Sequence, residues 1–138
     1  MPSASTSSEP VRVLLVDDNE AMLARVEAAL GADFVVVGKA TDGQAALAAA
    51  QLLQPDVIVL DISMPGLSGL DVAARLQEIG SSIAVIFLTV HGEEEFVQAA
   101  RSAGGLGYVV KPRLAADLRV AVREARAGRE FVSPLGHH

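Results

Sequence analysis

Five short apolar runs, each followed by a stretch with helical spacing, constrain this 138-residue chain more than any other feature. The runs are Val11–Val16, Phe34–Gly38, Val57–Leu60, Ile83–Leu88 and Gly107–Val110. They are rich in β-branched residues and lack polar alternation, the pattern of strands buried on both faces. Helices are expected near Glu20–Leu30, Gly43–Leu53, Gly69–Ile79, Glu93–Ala103 and Ala115–Ala127. Leu23, Val26 and Leu30 recur at helical spacing in the first. Asp42 and Ser68 stand where N-caps of the second and third belong. Glu93, Glu94 and Glu95 place negative charge at the start of the fourth, where the dipole favours it. Gly31, Gly80 and Gly104 stand where the first, third and fourth would end.

Regular alternation of this kind argues for a parallel sheet with helices on both faces. Right-handed crossovers leave few topologies. The expected fold is α/β, a flavodoxin-like (βα)5 three-layer sandwich whose five-stranded parallel sheet has the order 2-1-3-4-5. Strands one and three are then neighbours. Asp17 and Asp18, which follow the first run, lie beside Asp61, which follows the third. Carboxyl ends of parallel strands form the crevice in which open α/β sheets bind ligands.

One domain is expected over residues 11–128, after a disordered tail at 1–10. The Ser/Thr/Pro-rich start lacks the basic and apolar regions of a signal peptide. Residues 129–138 are read as the start of a linker, ending in the tag-like Leu135-Gly-His-His138. His137 and His138 are therefore not read as metal ligands. No apolar run has the length of a membrane span. The chain has no cysteine, which excludes disulfides, zinc–thiolate sites and thiol nucleophiles. A net charge of −6 makes the chain itself a poor nucleic-acid binder. A cytoplasmic location fits this composition.

The acidic residues carry the first chemical signal. An Asp-Asp pair alone most often caps a helix. Placed after a buried strand and beside a third carboxylate, it suits a cation instead, because clustered carboxylates repel. Mg²⁺, with its preference for a few carboxylates, a carbonyl and retained waters, is the natural candidate for phosphate chemistry. Asp61 opens the segment Asp61-Ile-Ser-Met-Pro-Gly-Leu-Ser-Gly69, in which Pro65-Gly66 reads as a turn. Thr89 ends the fourth run, either aiming a hydroxyl at the crevice or merely finishing a strand. His91 follows in a loop. Lys111 closes the fifth run, either paired with the carboxylates or free in solvent. Pro112 allows a cis peptide, although such bonds are mostly trans. Tyr108, the one tyrosine, is either a packing residue or a movable one. Gly104-Gly-Leu-Gly107 follows a helix and enters a strand, the wrong order for a phosphate cradle. Arg119, Arg123 and Arg126 form a stripe on the last helix and read as a solvated face.

Taken together and in order, Asp17-Asp18, Asp61 with Met64-Pro65 and Gly69, Thr89, and Tyr108 with Lys111-Pro112 closely resemble a bacterial response-regulator receiver domain of the CheY-like superfamily. The resemblance covers Val11 to Ala127. Ala103-Gly-Gly-Leu-Gly-Tyr108 and Ala127-Gly-Arg-Glu-Phe-Val-Ser-Pro134 are most like the NarL/LuxR-type subgroup. The resemblance implies that Asp61 accepts a phosphoryl group from a sensor histidine kinase. Asp18, Asp61 and the backbone carbonyl of Ser63 would bind Mg²⁺, with Asp17 acting through water. Thr89 and Lys111 would hold phosphoryl oxygens, and Thr89 and Tyr108 would move in the switch. Such a domain is a signalling phosphoacceptor, not an enzyme beyond self-catalysed phosphotransfer and autodephosphorylation. It would control an output, transcription through a helix-turn-helix domain absent from this chain. DNA would be met only through that domain, a homodimer is open to it, and no membrane is involved.

Some positions depart from the common pattern, among them Lys111-Pro112, which is general in the superfamily but less typical of this subgroup. Gly105 replaces a usual Ala, expected only to loosen its turn. Val90 is larger than the usual Ala and would narrow access to Asp61. Ser63 and His91 flank the site at variable positions and would tune the phosphoryl lifetime. Two other readings compete. A phosphatase with an Asp nucleophile would need a nearby general acid and a cap, and neither is visible. A stand-alone or unphosphorylated receiver-like module would be expected to have lost a carboxylate, the Thr or the Lys, and all are present.

Overall fold

Every interior strand has two faces to bury, and the sequence supplies apolar residues for both. A computed structural model describes residues 10–90 and 94–134. The tail over residues 1–9, His91, Glu93 and the ending from Leu135 lie outside the described residues. Strands β1 (Val11–Val16), β2 (Phe34–Ala40), β3 (Val57–Asp61), β4 (Ala84–Thr89), β5 (Gly107–Val110) and β6 (Phe131–Val132) form one parallel sheet of order β2-β1-β3-β4-β5-β6. The helices are α1 (Glu20–Leu30), α2 (Gly43–Leu53), α3 (Gly69–Glu78), α4 (Glu94–Ser102) and α5 (Leu114–Arg126). Short 3-10 turns occupy Gly31–Asp33 and Lys111–Arg113.

Alternate residues along the strands divide into two cores. Leu14, Ile58, Leu60, Phe87 and Tyr108 pack with Ala46 and Ala50 of α2, Val72 and Leu76 of α3, and Val97 of α4. Val13, Leu15, Val59, Ile86 and Val109 pack with Leu23 and Val26 of α1 and with Leu118 and Val122 of α5. Period-two alternation on a sheet buried from both sides produces this split, and with it the three layers. The expected caps are present. Asp42 accepts from Ala45 N–H, and Ser68 forms a reciprocal capping box with Asp71. Gly80 and Gly104 take positive φ values of 71° and 91° where α3 and α4 end.

The sheet has six strands, where five were expected. The segment read as the start of a linker returns to the sheet, pairing Gly107 with Phe131 and Tyr108 with Val132. Two residues after Gly128 are too short to show any periodicity, so only tertiary pairing defines β6. Strand ends also shift: β3 includes Asp61 and β4 includes Thr89, so both site residues sit on the sheet itself.

Candidate functional site

The site is built where β1, β3, β4 and β5 end. Asp17 leaves β1 with its N–H on the Ala40 carbonyl at 3.1 Å. Its Oδ1 then accepts from Asn19 N–H at 2.9 Å, fixing the side chain in a local turn. The α1 cap is Asn19, whose side chain accepts from Met22 N–H at 3.0 Å. The acidic pair is therefore not spent on capping. Asp61 ends β3, which lies directly beside β1, with Val16 opposite Leu60. Gly69 then brings the start of α3 against the Asp61–Ile62 backbone, its N–H bonded to the Ile62 carbonyl at 2.9 Å. A Cβ on Gly69 would lie 2.2 Å from the Asp61 carbonyl oxygen, so only glycine permits that approach.

Asp17, Asp18 and Asp61 each bring a carboxylate oxygen within 4.8 Å of the others. Asp17 and Asp61 are buried and Asp18 is exposed. Lys111 Nζ lies 3.4 Å from Asp17 Oδ2 and 3.6 Å from Asp61 Oδ1. One ammonium thus pairs with two of the three carboxylates. Burial and then the Asp17 charge push the Asp61 carboxyl up to about 6, against the pull of Lys111 and of the Ser63 N–H. That N–H donates to Asp61 Oδ1 at 3.3 Å, which sets Ser63 beside the acceptor oxygen. Among the described residues, Asp17 Oδ2 is buried without a hydrogen-bond donor. A buried carboxylate oxygen with only a long ion pair to Lys111 is poorly satisfied, and a divalent cation on the three carboxylates would complete it. The donor set is all oxygen, which suits Mg²⁺.

Thr89 is buried at the end of β4, with Val110 opposite it in register. Tyr108 is 2% exposed and belongs to the core on the α2–α4 side. Lys111 is paired with carboxylates and is not free in solvent. The Lys111–Pro112 peptide is trans. Val90 is 65% exposed, so its bulk is directed largely to solvent.

Gly104 ends α4 and leads into β5, as expected of a cap. Gly105 does more than loosen its turn. A Cβ there would stand 2.5 Å from the Phe87 ring and 3.0 Å from the Ala100 carbonyl, so the missing methyl makes room for a core aromatic. Arg119, Arg123 and Arg126 are exposed, and Arg123 pairs with Asp33 at 3.2 Å and lies 5.3 Å from the Phe34 ring centroid.

The sequence reading missed a second polar cluster. Asp117, buried on α5, accepts from Arg113 and from Ser133. The four-residue spacing of Arg113 and Asp117 was the only sequence signal for it.

Comparison with known proteins gives a consistent picture. The family model described as the response regulator receiver domain matches residues 13–123. The nitrate/nitrite response regulator NarL of Escherichia coli K12 is 34% identical over 130 residues, covering 93% of this chain and 60% of that protein. The positive alginate biosynthesis regulatory protein of Pseudomonas aeruginosa is 42% identical over 118 residues, covering 83% of this chain and 47% of that protein. The chain therefore spans about half to three-fifths of these relatives. Among solved structures, the signal receiver domain of a Mycobacterium tuberculosis response regulator designated NarL superposes with a TM-score of 0.83 at 34% identity, covering 88% of this chain and 99% of that one.

Proposed function

The chain belongs to the response regulator receiver domain family, in its NarL/LuxR-type subgroup, and on that premise we propose that Asp61 is its phosphoacceptor. A receiver domain is a signalling module and not a conventional enzyme. The observation that carries the residue assignment is the carboxylate triad beside Lys111, with Asp17 Oδ2 lacking a donor.

In the proposed reaction an Asp61 oxygen attacks phosphorus of a phosphohistidine on a sensor kinase. An O–P bond forms as the P–N bond breaks. The electron pair stays on the imidazole nitrogen, which takes a proton from solvent. With its carboxyl at about 6, Asp61 is mostly ionised at neutral pH yet more basic than an ordinary aspartate. Lys111 offsets charge on the incoming phosphoryl oxygens, and Thr89 donates its hydroxyl to one of them. Asp18, Asp61 and the Ser63 carbonyl would hold Mg²⁺, with Asp17 supporting the site. When bound, the ion neutralises charge shared between the carboxylates and the phosphoryl oxygens. The new phosphoryl contacts favour one of two pre-existing states, through Thr89 and Tyr108.

We extend the proposal to a cytoplasmic setting, a histidine-kinase partner, autodephosphorylation, and an output acting on transcription outside this chain. Two observations support the setting: the chain has no cysteine, and no described helix is long and apolar enough to cross a membrane. The test is direct. Incubation with Mg²⁺ and a small phosphodonor should add one phosphate by intact mass, and Asp61→Asn should abolish it. An undiminished signal in that variant would sink the assignment.

A further inference from the structure

The chain does not leave the fold when α5 ends. Gly128 turns it with φ 82°, and β6 closes the outer edge of β5. Glu130 is held by Arg101 of α4 at 2.5 Å. Ser133 is 1% exposed, and its N–H and its hydroxyl both find partners within the fold. Its N–H donates to the Tyr108 carbonyl at 2.8 Å. Its Oγ donates to Asp117 Oδ2 at 2.7 Å and accepts from Val110 N–H at 3.3 Å. Arg113 grips the same carboxylate with both arms, Nε to Oδ2 at 2.7 Å and Nη2 to Oδ1 at 3.1 Å. Val110 and Arg113 immediately flank Lys111-Pro112. The clasp on Ser133 is therefore tied to both sides of the lysine that faces Asp17 and Asp61.

We propose that this clasp reports the state of the carboxylate site: a phosphoryl group on Asp61 loosens Ser133 and frees β6 from the edge of β5. The inference rests on the phosphoacceptor reading. Lys111 now lies 3.4 and 3.6 Å from two carboxylates, longer than a good charge-assisted hydrogen bond. A phosphoryl group on Asp61 offers it stronger acceptors farther from the sheet. Lys111 and Arg113 share one 3-10 turn containing Pro112, whose φ is fixed, so a shift at one end moves the other. The Arg113–Asp117 pair has good bidentate geometry, and displacement of the turn lengthens it. Asp117 then holds Ser133 less firmly. By linkage, a chain whose clasp is already broken binds the phosphoryl mimic more tightly.

The test uses the full 138-residue chain, amide hydrogen exchange by NMR, and Mg²⁺ with fluoroberyllate as the phosphoryl mimic. On loading, the Ser133 and Val110 N–H groups should exchange at least about fivefold faster, a modest allosteric coupling. Asp61→Asn should show no such change. Ser133→Ala should speed exchange of Phe131 N–H in the empty protein and tighten fluoroberyllate binding by a similar factor. If resonances around Asp61 shift on loading while Ser133 exchange stays constant, the coupling is wrong and the phosphoacceptor reading survives. If nothing shifts at Asp61, both fail. Ser133→Ala that frees β6 without changing fluoroberyllate affinity marks a purely structural tie and also overturns the coupling.

Discussion

Replacing Asp61 by asparagine should make the metal-free protein more stable at neutral pH while removing its proposed chemistry. The magnitude follows from the carboxyl's environment. Its pKa rises from 3.8 unfolded to about 6 folded, chiefly by burial and by Asp17. Each unit corresponds to about 1.4 kcal/mol, so the ionised group costs the folded state about 3 kcal/mol above pH 7. The side chain is only 5% exposed, so solvent screening removes little of this. The attraction of Lys111 is already contained in the net shift. An asparagine oxygen can still accept from Ser63 N–H. Because the folded pKa is raised, the wild type keeps this stability below about pH 4 and loses it as pH rises through about 6. The advantage of Asp61→Asn should accordingly be near zero at pH 4 and about 3 kcal/mol at pH 7.5, or about 10 °C in Tm. Urea melts of both proteins in EDTA at the two pH values measure it. An unchanged or lower stability at pH 7.5, or a gain that does not depend on pH, would refute the electrostatic account.

Other substitutions probe the parts separately. Lys111→Met removes the cation that lowers the Asp61 carboxyl, so a carboxyl-carbon NMR titration should place its midpoint above about 6. Gly69→Ala forces a Cβ toward the Asp61 carbonyl, 2.2 Å away, and should cost about 3 kcal/mol in a denaturant melt and displace the acceptor. The Asp117 carboxyl is held below its ordinary range by Arg113 and, against the opposing effect of burial, by Ser133. Its contribution is therefore present above the unfolded pKa and fades as pH falls through the lower folded one. Asp117→Asn should cost about 1–2 kcal/mol at pH 7, discounted for the exposure of Arg113, and the difference should shrink in acid.

Long elements were legible because their burial pattern is written locally. Val57–Leu60 is apolar throughout and Val11–Val16 is so except for Arg12, and that already implied helices on both faces. Their adjacency followed from the flavodoxin-like strand order, the common one for five parallel strands, and that order sets Asp61 beside Asp17. Asn19 was harder to see, because Asp17, Asp18 and Asn19 are all good caps and only geometry shows which one bonds Met22. Strand β6 was invisible for a different reason. Phe131 and Val132 are held by pairing with Gly107 and Tyr108, contacts that leave no trace in a two-residue pattern. Gly105 was misjudged because its role depends on the Phe87 ring, far away in sequence. The Asp117 cluster joins α5 to a segment that looked like linker, so its burial followed only once that segment had returned to the sheet.

Under the proposed function, Asp61 takes the phosphoryl group in a site that depends on a divalent cation. Borohydride reduction converts an aspartyl phosphate to homoserine, and peptide mass mapping then locates it. After incubation with Mg²⁺ and a small phosphodonor, the conversion should fall at position 61 and nowhere else, and EDTA should remove it. Conversion at Asp17 or Asp18, or at position 61 with equal yield in EDTA, would contradict the account.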